Sequence, residues 1–342
     1  MKPVNHFKSD IIFNPIIILF GLILLIFFSL GLGHQELGPG RLVSIIWGNF
    51  GFKGHESEET YQSIVFLVRL PRILLAVLIG AGLAASGAAF QTIFRNPLVS
   101  PEILGVSAGA GFGAALAMLF KLPPILVQSF ALAFGLLAVA LTLGIARVTD
   151  RASIMSMLLG GIVVTALFGA FLGVVKTLAD PWNTLPGIVF WLLGSLARSS
   201  PRDVLMVLPA TVLGLGTLFL FRYQIETLSA GHDEAKTMGV EPFKVRMVVV
   251  GAATLITAVG VSVCGMVGWI GLVTPHLARI RGGTSFPTLL VRSMAFGAIL
   301  TLAIDDLIRS VKAAELPLGV MTALIGTPIF LILLPKTRGA FR

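Results

Sequence analysis

Three arginines stand where positive charge is expensive. Arg69 and Arg72 lie three residues apart in Arg69-Leu70-Pro71-Arg72, at the start of an apolar stretch, and Arg309 follows Asp305 and Asp306 at the end of another. A cation at a helix start opposes the helix dipole. These residues therefore answer to something else: an acidic partner gripped in bidentate pairs, which guanidinium suits, or lipid phosphate reached by snorkelling. Adjacent Asp305 and Asp306 point to different faces of a helix, and no His or Cys lies nearby to complete a metal site. Pairing with Arg309 is their expected use.

A second group is the polar run from Leu228 to Val240, which contains Asp233-Glu234-Ala235-Lys236-Thr237-Met238-Gly239. Two acids suit the positive start of a short helix, and Gly239 suits its stop. Such a helix, exposed between apolar stretches, is a handle for a moving partner. Asn96-Pro97 reads as a helix stop. His276 and the single Cys264 sit in apolar stretches and read as packed side chains; one cysteine forms no internal disulfide. There is no GxxxxGK[ST], HExxH, CxxC or GxSxG pattern. The expectation is no catalytic residue, no metal site, no cofactor and no nucleotide site, so uphill transport would draw its energy from another subunit.

These groups are set in a chain that is 56% hydrophobic and 12% charged. Its apolar residues fall into ten blocks: Ile11 to Gly33, Val65 to Thr92, Ile103 to Phe120, Ile125 to Ala146, Ile154 to Leu178, Val204 to Phe221, Val245 to Cys264, Val267 to Ala278, Leu289 to Ile304 and Leu316 to Leu334. A run of ~20 apolar residues matches the hydrocarbon core, and only a helix satisfies its own backbone there. The expected fold class is all-α: a polytopic membrane protein of about ten transmembrane helices, some short or broken, in a single domain over residues 1–342. A soluble domain of this length could not bury so much apolar surface.

Charge sets the orientation. The net +9 would suggest nucleic acid in a soluble protein, but here the charges sit at span ends, so lipid and not nucleic acid is the expected partner. With both termini on one face, that face collects fourteen basic residues against seven acids, namely Asp10, Glu102, Asp150, Glu226, Asp233, Glu234 and Glu241. The opposite face nearly balances. The positive-inside rule then places both termini in the cytoplasm of a multi-pass plasma-membrane protein. The first block lacks a small-residue cleavage site and reads as a retained span.

Punctuation inside the blocks predicts irregular helices. Pro97, Pro101, Pro181, Pro186 and Pro275 break several spans, and broken helices are tolerated where freed backbone faces protein or a water-filled path. Asp180 to Ser200 reads as a half-helix dipping in, and Gly40 to Phe50 as an amphipathic piece anchored by Trp47. Gly105, Gly109 and Gly113, and likewise Gly169 and Gly173, are spaced for close helix packing within the chain or at a subunit interface. No span carries a chain of acids for proton or sodium relay, which disfavours an ion-coupled transporter.

Three stretches carry a resemblance. They are Arg69-Leu70-Pro71-Arg72 with Gln91, Arg95-Asn96-Pro97-Leu98 and Leu104 to Gly109; the run Leu228 to Val240; and Gly268 to His276 with Glu315 to Val320 and Gly326-Thr327-Pro328. In these the chain resembles, over nearly its whole length, the permease subunit of type II ABC importers for iron siderophores, haem and vitamin B12, the FecCD/BtuC-like permeases. The resemblance implies a homodimer around a central path, two separate cytoplasmic ATPase subunits and an extracytoplasmic substrate-binding protein. It implies a metal chelate as cargo, with relatives that carry small oxyanions such as molybdate. It assigns Arg69, Arg72 and Arg309 to docking of the binding protein, and Asp233, Glu234, Ala235, Met238 and Gly239, in the loop of about residues 223–245, to ATPase coupling. Asn96 and Leu98 match inner-gate positions, with Ile154 and Met155 as the opposing element. After His276 the family's Gly-x-Asp-His-Arg segment is replaced by Gly282-Gly283-Thr284-Ser285-Phe286-Pro287, which alters a surface expected to face the ATPase.

Overall fold

The computed structural model describes residues 15–33, 37–48, 56–149, 154–280, 285–311 and 316–337, and every regular element among them is helical. Gly282 to Thr284, the loop 150–153 and the terminal charges used for orientation lie outside the described residues. Among the described residues six helices are long and apolar enough to cross a membrane: Thr60–Ile93, Pro124–Thr149, Ile154–Leu178, Pro201–Leu220, Pro242–Cys264 and Phe286–Ser310. Three shorter apolar helices, Ile17–Gly31, Val106–Leu119 and Leu318–Leu333, and the ten-residue Ile270–Arg279 account for the other four blocks. The expected all-α polytopic architecture is the one observed.

In chain order the helices are α1 (Pro15–Gly31), α2 (Pro39–Gly48), α3 (Glu56–Ser63), α4 (Leu70–Ile93), α5 (Val106–Leu119), α6 (Pro124–Thr149), α7 (Ile154–Leu178), α8 (Thr184–Leu192), α9 (Pro201–Leu220), α10 (Arg222–Ala230), α11 (His232–Thr237), α12 (Pro242–Cys264), α13 (Ile270–Arg279), α14 (Phe286–Ser310) and α15 (Leu318–Thr337). The second span begins earlier than its apolar block. A π-helical turn, Ile64–Arg69, joins α3 to α4 without a break. Pro71 supplies the reason: its ring clashes with the carbonyl four residues back and its nitrogen donates nothing. The wider turn, with the Leu70 N–H bonded to Val65 O, accommodates it.

α4 is the hub, packed on α9, α12, α13 and α14. Close approach is built from glycine. A Cβ on Gly80 would run into the Gly297 carbonyl, one on Gly297 into the Gly80 carbonyl, and one on Gly87 into the backbone of Gly271. The Gly105–Gly113 stripe works in the same way, since Cβ atoms at Gly109 and Gly113 would strike the backbone of Phe134 and Phe130 on α6. Gly169 and Gly173 differ: a Cβ at either would meet nothing within 4 Å, so among the described residues this pair faces open space.

Two expected irregularities have counterparts. α8 is a nine-residue helix within the stretch read as a half-helix, entered through a turn in which Asp180 accepts from Asn183 Nδ2 (2.7 Å) and the Trp182 N–H (3.1 Å). Those bonds, the Asn183 side chain first, hold the Asp180 carboxyl below its usual range. Beyond α8, Gly194 (φ +75) bonds through its carbonyl to the Leu318 N–H, while the Ser195 N–H bonds to Cys264 O, so the ends of α8, α12 and α15 meet. α2 is the amphipathic piece: Leu42 and Ile45 are buried and Trp47 is 64% exposed. Cys264 is buried, as a small apolar side chain would be.

Candidate functional site

α1, α4 and α14 bring their charges together at one end of the bundle. Arg72 on α4 grips Asp305 of α14 through Nε (2.9 Å to Oδ2) and Nη2 (2.9 Å to Oδ1). Arg309, one turn along α14, reaches back to Asp305 at 3.3 Å and bonds to Asp306. Ser29 Oγ of α1 donates to Asp306 at 2.7 Å, while Arg309 donates to the Ser29 and Leu32 carbonyls. Arg69 sends Nη1 to Leu30 O at 2.6 Å. The two aspartates do face different sides, Asp305 toward α4 and Asp306 toward α1, and Arg309 spans both.

This geometry places the three arginines largely inside the bundle. Arg69 is 6% exposed, and the Arg72 and Arg309 side chains are 12% and 7% exposed. Buried guanidiniums of this kind need partners, because desolvation costs several kcal/mol per ion. They find them within the chain, and the cluster cross-links three helices.

The opposite end carries the elbow formed by α10 and α11. Ile225 and Leu228 of α10 are buried in the core with Ala235 of α11, and Glu226 accepts from the Phe286 N–H at the start of α14. α11 begins after Gly231, with Asp233 and Glu234 in its first turn. It ends in a Schellman motif: the Val240 N–H bonds to Ala235 O and the Gly239 N–H to Lys236 O, both at 3.0 Å, with Gly239 at φ +78. This is the stop expected of glycine. Of the five coupling residues, Ala235 is buried and fixes the helix, whereas Asp233, Glu234, Met238 and Gly239 are exposed.

Near the same end α4 stops at Ile93. Arg95 turns the chain at φ +50, and Asn96 Oδ1 accepts from the Leu98 N–H at 2.9 Å, so the Asn96 side chain shapes a turn. Leu98 is 51% exposed; Met155 is 62% exposed, and Ile154 packs against the core. The following turn, Pro101–Leu104, packs on α7. An interaction that sequence reasoning missed lies close by: Arg279 of α13 donates to Gln91 Oε1 on α4, and Gln91 Nε2 donates to Leu272 O at 3.3 Å. A basic residue and a glutamine, each closing an apolar block, were the available signal. His276 is fully buried, with Nδ1 2.8 Å from Leu272 O and its ring against Phe330; it is a packed histidine. Among the described residues no group of His, Cys, Asp and Glu could hold a metal ion.

Between the two ends lies a cavity of about 340 Å³. It opens where α12 has ended and α13 has begun, beside Leu83 midway along α4 and Thr257 on α12, and Leu98, Trp269 and Phe330 form much of its wall. Trp269 precedes α13 with φ +71, a conformation that costs a non-glycine residue about 1–3 kcal/mol and collects at functional positions. Glu102, counted above among the acids of one membrane face, stands instead in this wall. An acid between prolines and apolar residues, with no basic neighbour, was the trace it left in the sequence.

Comparison with known proteins identifies this arrangement. Over 325 residues the chain is 36% identical to the molybdate import system permease protein of Haemophilus influenzae, covering 94% of this chain and 96% of that one. It is 40% identical over 287 residues to a probable iron chelatin transport system permease protein of Helicobacter pylori, covering 83% and 86%. A solved structure in an inward-facing conformation, assigned to the metal-chelate type of ABC transporter, superposes with a TM-score of 0.83 at 35% identity over 94% of this chain and 100% of its own. The model of the FecCD transport family matches residues 21–336, and the chain therefore belongs to that family of ABC importer permeases.

Proposed function

We propose that this permease forms the membrane path of a binding-protein-dependent importer for a metal chelate, driven by a separate ATPase. The elbow carries the proposal. α11 presents Asp233, Glu234 and Met238 to solvent, while buried Ala235 and the α10 core contacts tie it to α4, α12 and α14. A projection that is both exposed and rigidly tied to the spans is what a mechanical coupling needs. On this reading the elbow end is cytoplasmic, as are both termini, and the arginine end faces the binding protein.

Two further assignments rest on the same reading. The chain works as a homodimer, supported by the open Gly169 and Gly173 on a face of α7 that also exposes Ile162; small residues of this spacing let membrane helices approach. The binding protein docks at the arginine end. There three guanidiniums face two carboxylates, and the surplus positive charge attracts acidic side chains even from below the surface. Asn96, Leu98, Ile154 and Met155 line the inner gate, where apolar side chains close a path by excluding water. The similarity to a molybdate permease supports a small oxyanion as the second reading of the cargo.

The test is hydrolysis. The purified permease in lipid should turn over no ATP, and adding its ATPase should give turnover that the loaded binding protein stimulates. Robust hydrolysis by the lone permease would sink the assignment.

A further inference from the structure

The cavity at the start of α13 has one charged side chain in its wall, and that side chain is without a partner. The Glu102 backbone carbonyl accepts from the Gly105 N–H, but the Glu102 carboxyl makes no hydrogen bond and no ion pair among the described residues. The other polar side chains of the lining are Ser100 and Thr257, neither of which carries charge. A carboxylate left unpaired in a mostly apolar wall is costly and attracts whatever cation or hydrogen-bond donor can reach it.

The surroundings keep it reachable. Gly268 faces the carboxylate, and even a methyl group there would stand 3.7 Å from both oxygens, so a larger side chain at this position would cover it. Trp269 is held in its left-handed conformation next door. The cavity wall continues to Leu98, which is half exposed.

We infer that Glu102 is a charge-selecting residue of the translocation path, one that admits cargo presenting a cationic or hydrogen-bond-donating group and disfavours small oxyanions. The inference deepens the permease reading and rests on it. In the low-dielectric interior the ionised carboxylate repels a passing anion strongly, while an ammonium or amide donor gains a partner. The residue thereby separates the two cargo classes that the relatives leave side by side.

Trp269 reports on the cavity without any need to know the natural cargo. In a permease whose other three tryptophans, Trp47, Trp182 and Trp191, are replaced by Phe, collisional quenching of Trp269 is measured in nanodiscs with caesium and with iodide. The expected result is that Glu102→Gln lowers the caesium-to-iodide ratio of quenching constants about threefold, whereas Glu102→Asp preserves it. A ferric hydroxamate chelate bearing a free amine should protect Trp269 from caesium, and molybdate should not. A ratio unmoved by Glu102→Gln, or equal protection by molybdate, overturns the inference. Uptake by the complete importer in proteoliposomes is read separately. If ATP moves neither probe while the quenching pattern holds, the permease reading fails and the charge preference of the cavity stands.

Discussion

The two ends of this bundle use charge in opposite ways. At the arginine end Arg69, Arg72 and Arg309 turn inward, and their donors go to Asp305, Asp306 and the backbone of α1. At the elbow end Asp233 and Glu234 turn outward, while the only buried member of the coupling group is the alanine between the acids and the glycine. Both motifs read as partner sites in the sequence. Burial separates them: the first is a charged cross-link whose surplus positive charge lies below the surface, and the second is a display held in place by apolar contacts.

The largest expected effect breaks the cross-link. Asp305→Ala leaves Arg72 buried with no carboxylate and takes one of two from Arg309, a loss of about 3–5 kcal/mol. Thermal unfolding of the purified permease should show a midpoint lower by on the order of 10 °C. Replacing Arg72 and Asp305 together by leucine should recover much of the loss, because no lone charge remains between α4 and α14. An unchanged midpoint in Asp305→Ala would show that the cluster is wet and that its ion pairs do not hold the helices together.

A smaller effect is expected at the elbow, and of a different kind. Gly239→Val forces a β-branched residue into φ +78, which costs about 1–2 kcal/mol, though no neighbour stands in its way. The permease should insert and dimerise, with its unfolding midpoint within a few degrees of the parent. Binding-protein-stimulated hydrolysis in the assembled complex should be lost, because the end of α11 no longer holds its shape. Full stimulation in a correctly assembled complex would place the handle elsewhere.

How much of this was legible in the sequence follows from the range of each interaction. The helices behind the ten apolar blocks were legible because the bilayer imposes a length that apolar runs reveal, and six of them reach it among the described residues. The stop of α11 was legible because a Schellman turn is local and needs its glycine at one position. The shortness of α8 was announced by Pro181 and Pro186. The inward turn of the arginines was not, since Asp305 lies 233 residues from Arg72 and nothing local to Arg-Leu-Pro-Arg says which way it faces. The same holds for Gln91 with Arg279 and for Glu102, whose place in the cavity depends on where α12 stops and α13 begins. Gly169 and Gly173 had the spacing of a packing motif, yet only the three-dimensional arrangement separates them from Gly109 and Gly113.

The smallest expected effect sharpens the contrast most. Asp233→Ala with Glu234→Ala removes two exposed acids from the first turn of α11, where they favour the helix by about 0.3–1 kcal/mol each through its dipole. Surface substitutions of this kind move global stability by about 0.5 kcal/mol or less, so the unfolding midpoint should hardly change. Any further consequence must lie in what the acids touch outside the chain. If they meet basic groups on the ATPase, the double variant should weaken ATPase binding to the permease in nanodiscs by about 1–2 kcal/mol at low salt. That difference should shrink at ionic strengths where the Debye length falls to about 3 Å, near 1 M. Equal affinity at both salts would mean that the acids only start a helix, leaving Met238 and the shape of the elbow to make the contact.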